Sequence, residues 1–139
     1  MKKTNDPKVL VHKFKLPAFK GTVYIIVGRT TQAAIDWAED KTSEVIAKPE
    51  DKKSIKAYSY SYQKENGGSV YMLMFSYTAK PGVMAHEAKH LLNCAFVWYG
   101  HKLSPHNDEV ECCFLEEIVN KCYNTVQRFR KKYNKAKFK

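Results

Sequence analysis

At Pro81-Gly82 the chain's hydrophobic period turns helical and stays so, and that switch restricts its folds more than any other feature. Before the switch, one helical stretch apart, apolar residues alternate with polar ones or form short continuous runs, as strands do. After it they recur every three or four positions, as on helices. Gly21 to Gly28 (GTVYIIVG) reads as a buried strand, and Val9 to Leu16 (VLVHKFKL) as an edge strand whose lysines discourage sheet-to-sheet pairing. Pro17 interrupts the latter. Thr30 or Thr31 caps a helix with Ala33, Ala34, Ile35, Trp37, Ala38 and Val45 on its apolar side and Asp36, Glu39, Asp40 and Lys41 on its wet side. Lys48 to Lys53 forms a linker. Ile55 to Gln63 alternates strictly, with Tyr58, Tyr60 and Tyr62 on one face and Ala57, Ser59 and Ser61 on the other. Asn66-Gly67-Gly68 signals a turn and Val70 to Tyr77 (VYMLMFSY) a buried strand, so 55–77 reads as an antiparallel hairpin.

The predicted architecture is α+β. A small, mostly antiparallel sheet lies on one side, and two long antiparallel C-terminal helices lie on the other. The first helix runs from about Val83 to about Tyr99. Gly100 and His101 to His106 form a break, and the second helix starts near Asn107 or Asp108.

With 139 residues, 44% hydrophobic and 27% charged, the chain suits one folded domain rather than a disordered segment. Its apolar runs fall well short of the roughly 20 residues that cross a bilayer, so no membrane partner is expected. The N-terminus MKKTNDPKVL has lysines but no apolar stretch behind them, so a secretion signal is not expected and the cytoplasm is. Cys94, Cys112, Cys113 and Cys122 form no C-x-x-C pair and read as reduced, partly buried thiols. The net charge is +10, and the residues from Arg128 to Lys139 carry seven positive charges and no acid; subtracting seven from ten leaves +3 for the body. Residues 1–127 are therefore expected to form the domain and 128–139 a basic tail. That tail could bind nucleic acid or an acidic partner, but cations are also favourable at any helix C-terminus. The three tyrosines, interleaved with Lys52, Lys53, Lys56 and Lys64, could stack on single-stranded nucleic acid; a cross-strand packing face is the simpler reading.

The chemistry is concentrated in His86-Glu87-Ala88-Lys89-His90, an H-E-x-x-H pattern. On a helix, positions i and i+4 differ by about 40° around the axis and about 6 Å along it, so both imidazoles can reach one ion. Glu87 stands about 100° away, where a general base acting on metal-bound water belongs. The surrounding helix is apolar on almost every side, from Val83 and Met84 to Leu91, Leu92, Phe96 and Trp98, so burial of the triplet is expected. Buried polar groups need partners, and Zn²⁺ would serve both rings. The plain alternative is a pair of hydrogen-bonded histidines with Glu87 paired to Lys89.

A catalytic zinc needs a third protein ligand and an open fourth position. Phe96 stands where a metzincin carries its third histidine, so that class is excluded. His101 lies roughly 16 Å beyond His90 along a straight helix. Two carboxylates open the next helix. Periodicity favours Glu111, at the centre of a stripe of Val110, Phe114, Leu115, Ile118, Val119, Cys122 and Val126; Glu109 projects elsewhere if the helix is already regular there.

H-E-x-x-H, a turn, then Asn107-Asp108-Glu109 opening a second helix resembles the gluzincin arrangement of thermolysin-like zinc peptidases. It resembles still more the short H-E-x-x-H zincin-like proteins of tailed bacteriophages, matching at His86, Glu87, His90, Gly100, Asn107, Asp108 and Glu109. The resemblance covers roughly residues 70 to 126. It implies a minimal zincin-like fold, a Zn²⁺ ion held by His86, His90 and Glu109, and hydrolysis of peptide bonds in a peptide or protein substrate with Glu87 as general base. Glu111 remains the alternative ligand. Cys113 replaces the acidic residue that supports a ligand histidine in thermolysin-like enzymes, and Tyr77, His101 and His106 are the candidates for oxyanion stabilisation. The strand Val70 to Tyr77 is expected to line the substrate cleft as an edge. The alternative function is a non-catalytic zincin-fold phage structural or host-interaction protein, binding nucleic acid through its basic tail.

Overall fold

A computed structural model describes residues 9–16, 19–47, 55–100, 102, 104 and 108–137. The expected linker at 48–53, Pro17, His101, His106 and Asn107 lie outside the described residues. The fold is α+β, in the order β1 (Leu10–Leu16), β2 (Gly21–Gly28), α1 (Thr31–Thr42), β3 (Ala57–Gln63), β4 (Ser69–Ser76), α2 (Pro81–Trp98) and α3 (Glu109–Lys137).

The four strands lie in the order β1-β2-β4-β3. β1 pairs antiparallel with β2, from Leu10 opposite Val27 to Leu16 opposite Gly21. β3 pairs antiparallel with β4, from Ala57 opposite Phe75 to Gln63 opposite Ser69. The central pair, β2 and β4, is parallel, with Val23 beside Tyr71 and Ile25 beside Leu73. This arrangement explains why GTVYIIVG and SVYMLMFS read as continuous apolar runs: both strands have neighbours on each side and helices over each face. Gly21 sits against the Tyr71 ring, which occupies the space a Cβ would need. The β3–β4 hairpin closes through Gly67 at φ 88°, a conformation glycine adopts freely, with Lys64 N–H donating to Gly68 O at 2.6 Å.

The two long helices, α2 and α3, lie together on one face of the sheet, as expected, and the short helix α1 covers the other. One layer joins Val23, Ile25, Val27, Leu73 and Phe75 to Leu91, Leu92 and Ala95 of α2 and to Ile118, Cys122, Val126 and Phe129 of α3. The other joins Ile26, Val70, Met72 and Met74 to Ala34, Ile35 and Ala38 of α1. Alternation along the strands sends odd-numbered β2 residues to one layer and even-numbered ones to the other. The Tyr58, Tyr60 and Tyr62 face packs at the rim of the α1 layer, as a cross-strand packing face would.

Local signals set the helix ends. Thr30 caps α1, its hydroxyl accepting from Ala33 N–H at 3.1 Å, and Ser43 leaves the helix at φ 57°. Pro81 begins α2, where its missing N–H costs nothing. Tyr99 N–H donates to Ala95 O and Gly100 takes φ 70°, which ends the helix.

Two expectations change. The basic end is not a separate tail at its start, because α3 continues to Lys137. Phe129 is buried, and Arg130 Nε donates to Tyr77 O at 2.8 Å. The heptad-like spacing of Ile118, Cys122, Val126 and Phe129 carries the helix against the sheet past the point where the charge density rises. The thiols also differ from one another: Cys122 is buried, Cys94 half-buried, and Cys112 and Cys113 exposed.

Candidate active site

Helix α2 leaves the end of β4 and packs across β3 at the border of the sheet. This juxtaposition opens a cleft of about 470 Å³ between Ile55, Lys56, Ala57 and Tyr58 on one side and Gly82, Val83, His86 and Glu87 on the other. The cleft wall is thus β3, not the Val70 to Tyr77 strand expected from sequence. β4 is hydrogen-bonded on both sides, to β2 and β3, and has no free edge to offer. Thr31 anchors the start of β3, its hydroxyl donating to Lys56 O at 2.7 Å.

His86 and His90 point the same way. Their Nε2 atoms are 3.1 Å apart and their ring centroids 4.8 Å, with the ring planes 78° apart. Two nitrogens bound to one tetrahedral zinc at 2.0–2.1 Å stand about 3.3 Å apart, close to the spacing found. The chemistry and separation of these donors therefore suit two ligands of a zinc ion.

Burial of the triplet meets the expectation at Glu87 and departs from it at the two histidines. Both histidines are exposed, and Glu87 is the buried member, only 7% accessible. The reason is geometric: the inward face of α2 carries Met84, Glu87, Ala88, Leu91, Leu92, Ala95 and Phe96, and His86 and His90 fall on its flank. Burial raises the Glu87 carboxyl pKa above its ordinary value, while His86 and His90 oppose the shift. A carboxylate moved this way is a better proton acceptor than one in water.

The two acids of the next helix lie differently. Glu111 forms an ion pair with Lys89, which ties the first turns of α3 to α2 beside the histidines. Glu109, the first residue of α3, accepts from Cys113 Sγ at 3.7 Å. It lines a separate hollow of about 250 Å³ with Val110, Cys113, Phe114 and Glu117. The structure thus brings His86, His90 and Glu87 together and leaves both acids of α3 turned to other partners. Among the described residues, no three His, Cys, Asp or Glu side chains are grouped to hold a metal ion. Tyr77, an oxyanion candidate, stacks on Phe129 with centroids 6.0 Å apart and accepts from Arg130 through its backbone. The part played by Ile55, Ala57 and Tyr58 was not foreseen. Their strand pattern was visible, but an edge position depends on pairings between distant segments.

No protein-family model matches the chain, and no curated protein or solved structure shows significant similarity to it. Among the described residues, no helix is long and apolar enough to cross a membrane.

Proposed function

We propose that this chain is a zinc-dependent hydrolase of peptide bonds. The observation that carries the proposal is the 3.1 Å approach of His86 Nε2 and His90 Nε2 at the mouth of a cleft, one residue from a buried carboxylate. The resemblance to short zincin-like proteins supports the same reading. His86 and His90 would supply two ligands, and Glu109 the third once its side chain leaves Cys113; Glu111 is the alternative and would first have to release Lys89. Bound there, zinc would polarise the scissile carbonyl and lower the pKa of water towards about 7. Glu87 would accept the proton at a carboxylate oxygen and return it to the departing amine nitrogen. An extended substrate would add to the open edge of β3, with an apolar side chain seated among Ile55, Ala57 and Val83.

The competing reading is a non-catalytic binding protein built on the same frame. The turn of Glu109 towards Cys113 favours it. Incubation of zinc-loaded protein with an unfolded casein separates the two. The proposal expects cleavage that falls at least about 100-fold in Glu87→Gln, with zinc retained in that variant. Zinc binding without cleavage of unfolded protein, or equal cleavage by Glu87→Gln, would overturn it.

A further inference from the structure

The fold brings two segments that lack acids, distant in sequence, together at one edge of the sheet. β1 contains His12, Lys13 and Lys15 and no Asp or Glu. In α3, every acid precedes Ile118, and every residue from Ile118 to Lys137 is neutral or basic. The acid-free stretch of α3, from Ile118 onward, reaches β1 near its start: Lys121 Nζ sits 4.8 Å from the centre of the Phe14 ring. His12 and Phe14 lie side by side on that face, ring centroids 5.7 Å apart and planes within 28°. Lys13 and Lys15 are exposed and alternate to the other face of the same sheet edge. The acids Asp36, Glu39, Asp40 and Glu44 belong to α1 and the turn after it, so they lie across the sheet from His12, Phe14 and Lys121 and on the side to which Lys13 and Lys15 turn.

We infer that the edge formed by β1 and the C-terminal half of α3 is a binding surface for single-stranded nucleic acid. Lys121 and Arg128 on one face of this edge and Lys13 and Lys15 on the other supply cations for phosphates, and the half-buried His12 ring, backed by the core-packed Phe14, supplies a surface for a base to stack on, the combination that single strands use. A duplex keeps its base faces inside and would leave His12 and Phe14 unused. The local field agrees: burial first, then the positive charges of Lys121 and Arg128, hold His12 below its ordinary pKa. The surface differs from a simple basic tail, because its aromatic part belongs to β1 and its nearest cations, Lys121 and Arg128, belong to the folded part of α3. It is also independent of the histidine pair on α2.

The test is fluorescence anisotropy with a labelled oligothymidine over a salt series, using the full chain. Binding should weaken linearly in log–log form with salt. Lys121→Gln with Arg128→Gln should lower that slope by about 0.7 for each phosphate no longer neutralised. Phe14→Leu should weaken binding about tenfold and leave the slope unchanged. Lys13→Gln with Lys15→Gln, exposed changes that leave the core intact, should also lower the slope, so the inference is tested even if Phe14→Leu fails to fold. Failure to bind at low salt would overturn the inference. So would indifference to the Lys121, Arg128, Lys13 and Lys15 changes, or tighter binding to duplex DNA or to phosphatidylserine vesicles.

Discussion

The two faces of the sheet bury similar kinds of residue but end differently at their borders. The α1 face closes Ile26, Val70, Met72 and Met74 under a short capped helix, and its rim is a set of tyrosines that pack on one another and on the core. The α2/α3 face closes Val23, Ile25, Val27, Leu73 and Phe75 under two longer helices. At its β3 border it leaves a cleft that holds Glu87 and His86. Glu87 is the buried carboxylate among the described residues, and it lies on this second face. The difference teaches that the H-E-x-x-H side chains sit where a helix overhangs a sheet edge, away from the apolar layers between sheet and helices.

Five substitutions probe that contrast. The largest effect should come from deleting a ring under α2 and α3. Phe75→Ala is expected to cost about 3–5 kcal/mol in denaturant unfolding, whereas Met74→Ala, its neighbour on the α1 face, should fall near the lower end of about 2–5 kcal/mol. Equal losses would mean the two faces are packed alike. Next comes Gly21→Ala, whose new methyl meets the fully buried Tyr71 ring; a loss of about 1–3 kcal/mol should appear as a lowered Tm. A neutral result would show that the ring has room to move, and with it the α2/α3 layer.

Tyr60→Phe probes the α1 rim. Tyr60 O–H donates to Glu44, and that bond, ahead of burial, pushes the phenol up to about 12. Because the pair is exposed, its removal should cost below about 1 kcal/mol. A loss of core size would reveal a functional or packing role the rim is not expected to have. The smallest effect concerns His12, whose folded pKa lies below 6.5. As pH falls through 6.5 the unfolded chain takes up a proton that the native chain resists, so stability declines on acidification. In His12→Gln that part of the slope should vanish from unfolding curves taken between neutral and mildly acidic pH.

Much of this architecture could be read from residues before any coordinates. The Asn66-Gly67-Gly68 turn and the alternation of Tyr58, Tyr60 and Tyr62 specify the hairpin, and Pro81-Gly82 marks the start of α2, because each signal is local. The common direction of His86 and His90 follows from helical spacing alone. The exposure of His86 and His90 beside a buried Glu87 was not legible. Val83, Met84, Val97 and Phe96 surround α2 with apolar residues on several sides, so the pattern does not say which face turns inward; Met84 and Phe96 are buried while Val97 is 76% exposed. The strand order was equally hidden. VYMLMFSY and AYSYSYQ both read as strands, and only the parallel pairing of β4 with β2 places β3 at the edge. Nor does periodicity foresee the side-chain partners of Glu109 and Glu111, which Cys113 and Lys89 decide.

The central claim is that one zinc ion is gripped by the two histidines on the flank of α2, with an acid from the following helix. Equilibrium dialysis of the full chain against zinc, with metal counted per chain, tests it most directly. The account predicts about one zinc per chain, lost in His86→Ala and in His90→Ala, weakened in Glu109→Gln more than in Glu111→Gln, and kept in Glu87→Gln. A chain that takes up no zinc, or that holds it equally well without either imidazole, would contradict the account.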